Sequence, residues 1–477
     1  MGLRTVKQYK ESLKDGREVY MYGEKVKDVT THRALKTCVD TMALDYEAAE
    51  LPKYKDLAIV FDPELGEEVS RYYYIPKTGE DLLKATDLII EFTAYADGYI
   101  PLAKDIGADA LNAIQITANM IGNKDYIDRI NNFRKYLMKE DTAIVSAVTD
   151  VKGDRLLRPS DPKQVHPDFY VRVVDKNSKG IIVRGAKMHI TGAAYSNEIF
   201  AIPCRAMTEQ DKDYAVAFAI PCNTKGLKQI CRPVKSEIGP MEFPCPRPLR
   251  MHTDSLIIFD DVLVPWERVF LCGEWQHAGL IALHFGLLHR RTGCAYRIPI
   301  SEMFVGMAYA IAEYNGVLNV PHIREKLTDA AMYLQTLKAL TRSACLDYVM
   351  HGGMPVPNPV TTNIGKYHFA DKYHDLVKVI QDISGGSLIT KPTYQDWQNP
   401  ETHEYMKKYL SGKSGIPAEH RLRMYDLIRR WLASEYEVMV LHGEGSLMTQ
   451  RMTILAEAKE ELLRCKKIAE DIAGINP

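Results

Sequence analysis

The sequence predicts an α+β multidomain chain in which a helical section, a β-rich middle and a second helical section follow one another. Three observations predict it. At 477 residues the chain is longer than one ordinary hydrophobic core accommodates. Residues 1–140 and 276–477 return apolar side chains every three or four positions, the helical period. Residues 141–275 instead carry short β-type runs broken by Gly, Pro, Asn and Asp, the texture of a small barrel or sandwich.

In the first section the stretches 80–96 and 108–121 read as helices, and Thr78-Gly-Glu-Asp reads as a helix start whose carboxylates suit the positive end of the dipole. In the middle, β-runs begin at Ala143, Tyr170, Gly180, Ala215 and Ser255. The polar stretch from Asp175 to Gly180 fits a hairpin loop. In the last section, helices are expected over 303–314, 323–346, 374–383, 419–440 and 453–472. The final one sets Glu457, Lys459, Glu460, Glu461, Lys466 and Lys467 on polar faces, as a solvated helix does.

Bulk properties exclude several classes. Hydrophobic residues at 46% and charged residues at 26% match a globular protein. The formal charge of −1, from 61 basic and 62 acidic side chains, argues against nucleic acid or an anionic membrane as the main partner. No run of about 18 apolar residues appears. The opening from Met1 lacks an apolar signal region, so a cytoplasmic location is expected. The nine cysteines are odd in number, widely spaced and free of any Cys-x-x-Cys, which points to small buried hydrophobes rather than a disulfide framework.

Four segments break the local pattern. Thr191 and Gly192 end a β-run, where a hydroxyl and an unhindered amide suit the edge of a planar cofactor; an ordinary strand-to-turn transition explains them equally. His289-Arg-Arg-Thr-Gly-Cys-Ala-Tyr-Arg crowds polar groups into a turn-and-helix segment. Its Arg290, Arg291 and Arg297 suit a phosphate or carboxylate, or a charged helix face. His289 and Cys294 alone are too few ligands for a metal. Gln381-Asp-Ile-Ser-Gly-Gly offers either a close backbone approach to a pyrophosphate or a helix C-cap. His442-Gly-Glu-Gly-Ser lines a pocket or simply links two helices. Neither Gly-x-Gly-x-x-Gly after a strand, nor Gly-x-x-x-x-Gly-Lys-Ser/Thr, nor Gly-x-Ser-x-Gly is present.

In order along the chain, the markers Tyr9-Lys-Glu-Ser-Leu-Lys-Asp-Gly-Arg, Asp28-Val-Thr-Thr-His, Lys152-Gly-Asp-Arg, Gly180-Ile-Ile-Val-Arg-Gly, Phe259-Asp-Asp-Val and Val264-Pro-Trp-Glu-Arg precede the two glycine segments just described. Together they resemble the family that unites 4-hydroxyphenylacetate 3-hydroxylase with 4-hydroxybutyryl-CoA dehydratase. The resemblance covers nearly the whole chain. It implies an acyl-CoA dehydrogenase-like fold: N-terminal helices, a middle β-barrel or sandwich, and a C-terminal four-helix bundle. It implies FAD between the β-domain and the bundle, in a homotetramer. Thr191 and Gly192 are expected at the flavin ring. Gln381, Asp382, Gly385 and Gly386 are expected to approach the dinucleotide of a neighbouring subunit.

Both branches of the family leave marks and gaps. The segments from Thr149 and His442 are similar to the dehydratase branch, which holds a [4Fe–4S] cluster on three Cys and one His. His289 matches the histidine, but Pro101, Asp105 and Tyr296 stand where the thiolates belong, with Cys294 two residues short. Such residues do not replace soft ligands, so the cluster is expected to be absent. Met439 stands where that branch has a pocket Glu. Of the hydroxylase branch's Arg-x-Pro-Asp-Tyr, the stretch Ile106-Gly-Ala-Asp-Ala keeps only Asp109. Arg297 and Tyr296 are candidates to supply the missing cation and phenol. The expected activity is a flavin-dependent hydroxylation of a phenol, with reduced FAD from a partner reductase and O₂. The alternative is a cluster-free enzyme acting on an acyl-CoA, with His289, Asp254 and Tyr296 as acid/base groups.

Overall fold

The structure, a computed structural model, describes residues 3–234, 239 and 241–475, so the first two residues of the opening segment lie outside it. The chain forms two compact units. One comprises Met1–Glu237, Arg247–Thr292 and Met350–Val356; the other comprises Ile238–Pro246, Gly293–Val349 and Pro357–Pro477. These divisions differ from the texture boundaries after residues 140 and 275, because strand pairing joins the N-terminal section to the middle one.

That pairing is specific. The run Glu18–Met21 lies between Gly16 at φ +80° and Gly23 at φ +79°, and it pairs in parallel with Leu227–Cys231. The section expected to be helical therefore also holds Glu18–Met21, Glu24–Lys25, Ile59–Asp62 and Glu67–Ser70 as strands. Runs this short lack the length that separates a strand from a helix by period.

Two sheets build the first unit. The larger runs in the order Glu24–Lys25, Glu18–Met21, Leu227–Cys231, Asp254–Pro265, Gly180–Thr191, Arg172–Asn177; the smaller runs Val269–Cys272, Val216–Pro221, Glu198–Ala201, Ile144–Ala147. Val183, Ile190, Phe218, Ile257 and Phe259, drawn from both sheets, share one buried core. The polar stretch expected as a hairpin loop is one: Asn177 pairs with Gly180 across the turn, and the strand runs three residues into the predicted loop.

The helices of this unit follow their start signals. Thr78 caps Gly79–Tyr95 by accepting from the Asp81 N–H, while the Asp81 carboxylate accepts from the Thr78 N–H. Asp105–Ile121 is buried along most of its length and stops at Gly122, φ +68°. At Gly107 this helix meets the Ile144–Ala147 strand so closely that a Cβ would lie 2.4 Å from Ile144 Cγ2 and 2.5 Å from its carbonyl oxygen.

The division between units falls inside a 40-residue helix, Trp275–Tyr314, which runs on through Gly293 and Pro299. The predicted 303–314 helix is its last part, and the His289 segment lies in its interior rather than in a turn. Pro321–Leu346 and Pro359–Ser384 each begin on a proline, whose missing N–H is no loss there. The stretch 419–440 is two helices, Ala418–Leu432 and Glu435–Leu441, because Ser434 caps a new start by accepting from the Tyr436 N–H. The stretch 453–472 is likewise divided, between Leu447–Glu457 and Lys459–Ile472. Among the described residues no helix is long and apolar enough to cross a membrane.

Gly107→Ala is expected to destabilise the fold by about 1–3 kcal/mol, the usual range for overpacking. The midpoint of urea unfolding checks this, and an unchanged midpoint would show that the helix and strand separate freely.

Candidate functional site

In the first unit, His289 meets the Asp105–Ile121 helix. Its Nδ1 lies 3.4 Å from Asp109 Oδ2, and its ring stacks on Phe285 with centroids 5.0 Å apart. Arg291 Nη2 lies 3.3 Å from the other oxygen of Asp109, while its Nη1 donates to Thr86 Oγ1 at 3.3 Å. Asp109 is thus a buried carboxylate shared by an imidazole and a guanidinium. A carboxylate behind a histidine fixes the orientation of the ring, the arrangement of a general base.

One turn earlier lies Asp105. Burial raises its carboxyl to about 7; the Ile106 N–H pulls the other way, and the charges of Asp109 and Asp45 add to the rise. Beside it, Lys104 bridges Asp45 at 3.0 Å and Asp141 at 2.8 Å, all three almost inaccessible. The helix start therefore gathers carboxylates and a lysine in a dry place, where only pairing makes charge tolerable.

Elsewhere in this unit Thr191 Oγ1 donates to Asp254 Oδ1 at 2.5 Å, opposite it in the sheet. Arg232 Nε lies 3.1 Å from the second oxygen of Asp254. Burial alone would raise this carboxyl, but His252, the Thr191 hydroxyl and Arg232 hold it below the ordinary range. Asp254 is a settled anion. The amide of Gly192 is not open as expected, because its N–H donates to the Thr253 carbonyl at 3.0 Å. The glycine is required by packing: φ is +80°, and a Cβ would come within 3.0 Å of Met42 Cε.

The second unit holds Tyr296 and Arg297. Arg297 is fully buried, and its Nη1 lies 2.7 Å from Glu444 Oε2. The same nitrogen donates to Tyr296 Oη at 2.8 Å, and Tyr296 Oη donates in turn to Glu444 Oε1. Lys366 Nζ approaches Glu444 Oε2 at 3.5 Å. Burial lowers Lys366 to about 8, helped by the like charge of Arg297 and opposed by Glu444. Burial, with Glu444, keeps the Tyr296 phenol protonated. Gly293 sits inside the helix because a Cβ would stand 2.7 Å from Glu444 Cδ. Burial also raises the neighbouring Cys294 thiol to about 12, so it is no thiolate.

The 381–386 segment ends the Pro359–Ser384 helix. Gln381 Nε2 donates to the Leu432 carbonyl at 2.6 Å, Asp382 pairs with Lys326 on the surface, and Gly385 caps the helix at φ +67°. Gly385 and Gly386 are exposed, with nothing within 4 Å of where a Cβ would stand.

The structure thus groups His289 with Arg291, Thr191 with Asp254, and Tyr296 with Arg297. Lys366 was not among the residues expected from sequence, and Asp105, Asp109 and Glu444 were noted there only within their motifs, not as partners of these side chains. An i, i+4 pair of carboxylates at a helix start was the legible signal for Asp105 and Asp109. A Glu flanked by two glycines was the signal for Glu444.

The whole chain can now be set beside known proteins. The description 4-hydroxyphenylacetate 3-hydroxylase N terminal matches residues 5–271, and 4-hydroxyphenylacetate 3-hydroxylase C terminal matches residues 278–474. The chain belongs to the 4-hydroxyphenylacetate 3-hydroxylase family. Within that family it is 30% identical to 4-hydroxybutyryl-CoA dehydratase/vinylacetyl-CoA-Delta-isomerase of Clostridium aminobutyricum, over 99% of this chain and 100% of that protein. It is also 30% identical to the 4-hydroxyphenylacetate 3-monooxygenase oxygenase component of Thermus thermophilus, over 89% of this chain and 87% of that protein. Among solved structures, an oxygen-tolerant archaeal 4-hydroxybutyryl-CoA dehydratase from N. maritimus superposes with TM-score 0.89 at 30% identity, covering 100% of this chain and 96% of that one. The oxygenase component of 4-hydroxyphenylacetate 3-monooxygenase, complexed with FAD and 4-hydroxyphenylacetate, gives 0.88 at 26% identity, with 99% of each chain covered. The fold is the mixed α/β multidomain fold of this family.

Asp105 yields a pH signature. Its folded pKa of about 7 lies above the unfolded value, so the folded chain binds the extra proton between roughly pH 4 and 7 and stability falls as pH rises through that window. Asp105→Asn is expected to flatten this slope and to stabilise the fold at pH 8 by on the order of a few kcal/mol. Denaturation curves across pH check it; an unaltered slope would place the titration elsewhere.

Proposed function

We propose that this chain is a flavin-dependent oxygenase that hydroxylates a phenol or a similar substrate, consuming reduced FAD and O₂ and releasing water. The observation that carries the reading is the donor set around His289. The Asp109 carboxylate lies against the His289 ring with one oxygen and against Arg291 with the other, and Asp105 lies one turn away. Hard carboxylates and a guanidinium do not fit a [4Fe–4S] cluster, which takes thiolates. Hydroxylation with flavin and O₂ asks for no such cluster.

Bound reduced FAD would supply the two electrons that, with O₂, place one oxygen atom on the substrate and the other in water. The residues at hand suit its binding. Thr191 spends its hydroxyl proton on Asp254, which leaves its lone pairs to accept from a ring edge. Gly192 keeps the adjoining backbone free of a side chain. The open surface at Gly385 and Gly386, next to Gln381 and Asp382, suits close approach by the dinucleotide of a neighbouring subunit in a homotetramer. His289, oriented by Asp109, takes the substrate proton. Tyr296 and Arg297 contribute a protonated phenol and a fixed cation, and Asp254 holds Thr191 in place. A partner reductase delivers the reduced FAD, as the word component in the relatives' names suggests. The layout proposed is the acyl-CoA dehydrogenase-like one, with N-terminal helices, a middle β-domain and a C-terminal four-helix bundle, in a cytoplasmic enzyme.

A second reading has its own support. Thirty per cent identity, over 99% of the chain, to a protein named 4-hydroxybutyryl-CoA dehydratase favours a cluster-free enzyme acting on an acyl-CoA, with His289, Asp254 and Tyr296 as acid and base. Two measurements separate the readings. With reduced FAD and O₂, a panel of substituted phenols is expected to gain one oxygen atom by mass spectrometry, and acyl-CoAs are expected to leave the melting temperature unchanged. No oxygenated phenol, together with a concentration-dependent rise in melting temperature on adding acyl-CoA, would replace the first reading by the second.

A further inference from the structure

The loop His442–Ser446 has an unusual construction. Gly443, Glu444 and Gly445 lie at φ +118°, +54° and +88°, three left-handed residues in a row. Only glycine adopts this region without cost, so Glu444 is held there by what its side chain reaches. His442, Gly443, Gly445 and Ser446 are exposed, yet the Glu444 side chain is 1% exposed. A surface loop thus inserts one carboxylate into the interior.

The groups that receive it converge from two helices. Tyr296 Oη donates to one carboxylate oxygen, while Arg297 Nη1 and Lys366 Nζ, at 2.7 and 3.5 Å, meet the other. This socket is anchored without Glu444. Arg297 Nε and Nη2 donate to the Val440 carbonyl, Nη1 donates to the Gly293 carbonyl at 2.9 Å, and its guanidinium lies over the Tyr296 and Phe369 rings at 4.6 Å each. Lys366 Nζ lies 5.5 Å over Phe369. Two buried cations surround one anion, so the site carries surplus positive charge. Burial first, then Arg297, lowers Lys366 for that reason, and Glu444 only partly offsets them. Three fixed donors around two coplanar oxygens match a carboxylate.

We infer that Tyr296, Arg297 and Lys366 form a binding socket for the carboxylate of a small organic acid, with the chain's own Glu444 as its displaceable occupant. An incoming acid takes over the donors of Glu444. The released side chain then turns to solvent, and the loop relaxes from its left-handed conformation. The glycines on either side of Glu444 supply the hinge. The Lys366 and Arg297 side chains stay buried and charged in both arrangements, because one carboxylate replaces another.

Limited proteolysis of the full-length chain tests it, with cleavage mapped over residues 442–446 in sodium propionate and in sodium chloride at equal ionic strength. Propionate is expected to speed cleavage of this loop several-fold in the wild type, and to lose that effect in Lys366→Met. In Glu444→Ala, propionate but not chloride is expected to raise the melting temperature. Equal wild-type cleavage in the two salts overturns the proposal, and so does an undiminished propionate response in Lys366→Met. A Glu444→Ala chain that does not fold leaves the wild-type comparison to decide.

Discussion

Charge placed in a dry interior must be paired, and that constraint organises the candidate site. The Trp275–Tyr314 helix is apolar in most of its length but carries Arg291 and Arg297 into buried surroundings, with His289 partly buried beside them. An unpaired buried charge costs several kcal/mol, and removing one partner of such a pair costs about 3–5 kcal/mol. The positions of Asp109 and Glu444 follow from this. Each carboxylate stands where a cation of the long helix would otherwise be alone. The glycine at 293 follows in turn, since the Glu444 side chain occupies the space a Cβ would need.

The two units answer the same demand differently. In the first, carboxylates outnumber cations: Lys104 lies between Asp45 and Asp141, while Asp105 keeps its proton up to about pH 7 because burial disfavours another negative charge. In the second, cations outnumber anions, and Lys366 is pushed down to about 8. A carboxyl and an amine that both titrate near neutrality, each beside a residue expected at the reaction centre, are the kind of groups catalysis uses. Around His289 the structure places the Asp109 carboxylate and, on that carboxylate's other oxygen, the Arg291 guanidinium.

Much of the fold was legible. Helical period located Gly79–Tyr95, Asp105–Ile121 and Pro321–Leu346, and the capping pattern at Thr78 marked its helix start. The β-runs from Gly180 and Ser255 became the two longest strands, which pair with each other. What escaped depended on partners remote in sequence. Glu-Val-Tyr-Met at 18–21 is a strand only because residues 227–231 offer it an edge. Gly293 and Pro299 look like helix breakers, yet packing along the long helix overrides them. The candidate residues Thr191, Asp254, His289, Tyr296 and Arg297 can be named from their types and motifs, but their pairings cannot: Tyr296 and Glu444 are separated by 148 positions and no period links them. The amide of Gly192 was misjudged for the same reason, since the Thr253 carbonyl that occupies it lies 61 residues on.

The central claim is that flavin alone, without an iron–sulfur cluster, serves this site. It is tested most directly by the absorption spectrum and iron content of the protein purified without oxygen and then saturated with FAD. The account predicts the two resolved bands of a protein-bound flavin and no stoichiometric iron or acid-labile sulfide. A broad iron–sulfur absorption accompanied by stoichiometric iron and sulfide would contradict it.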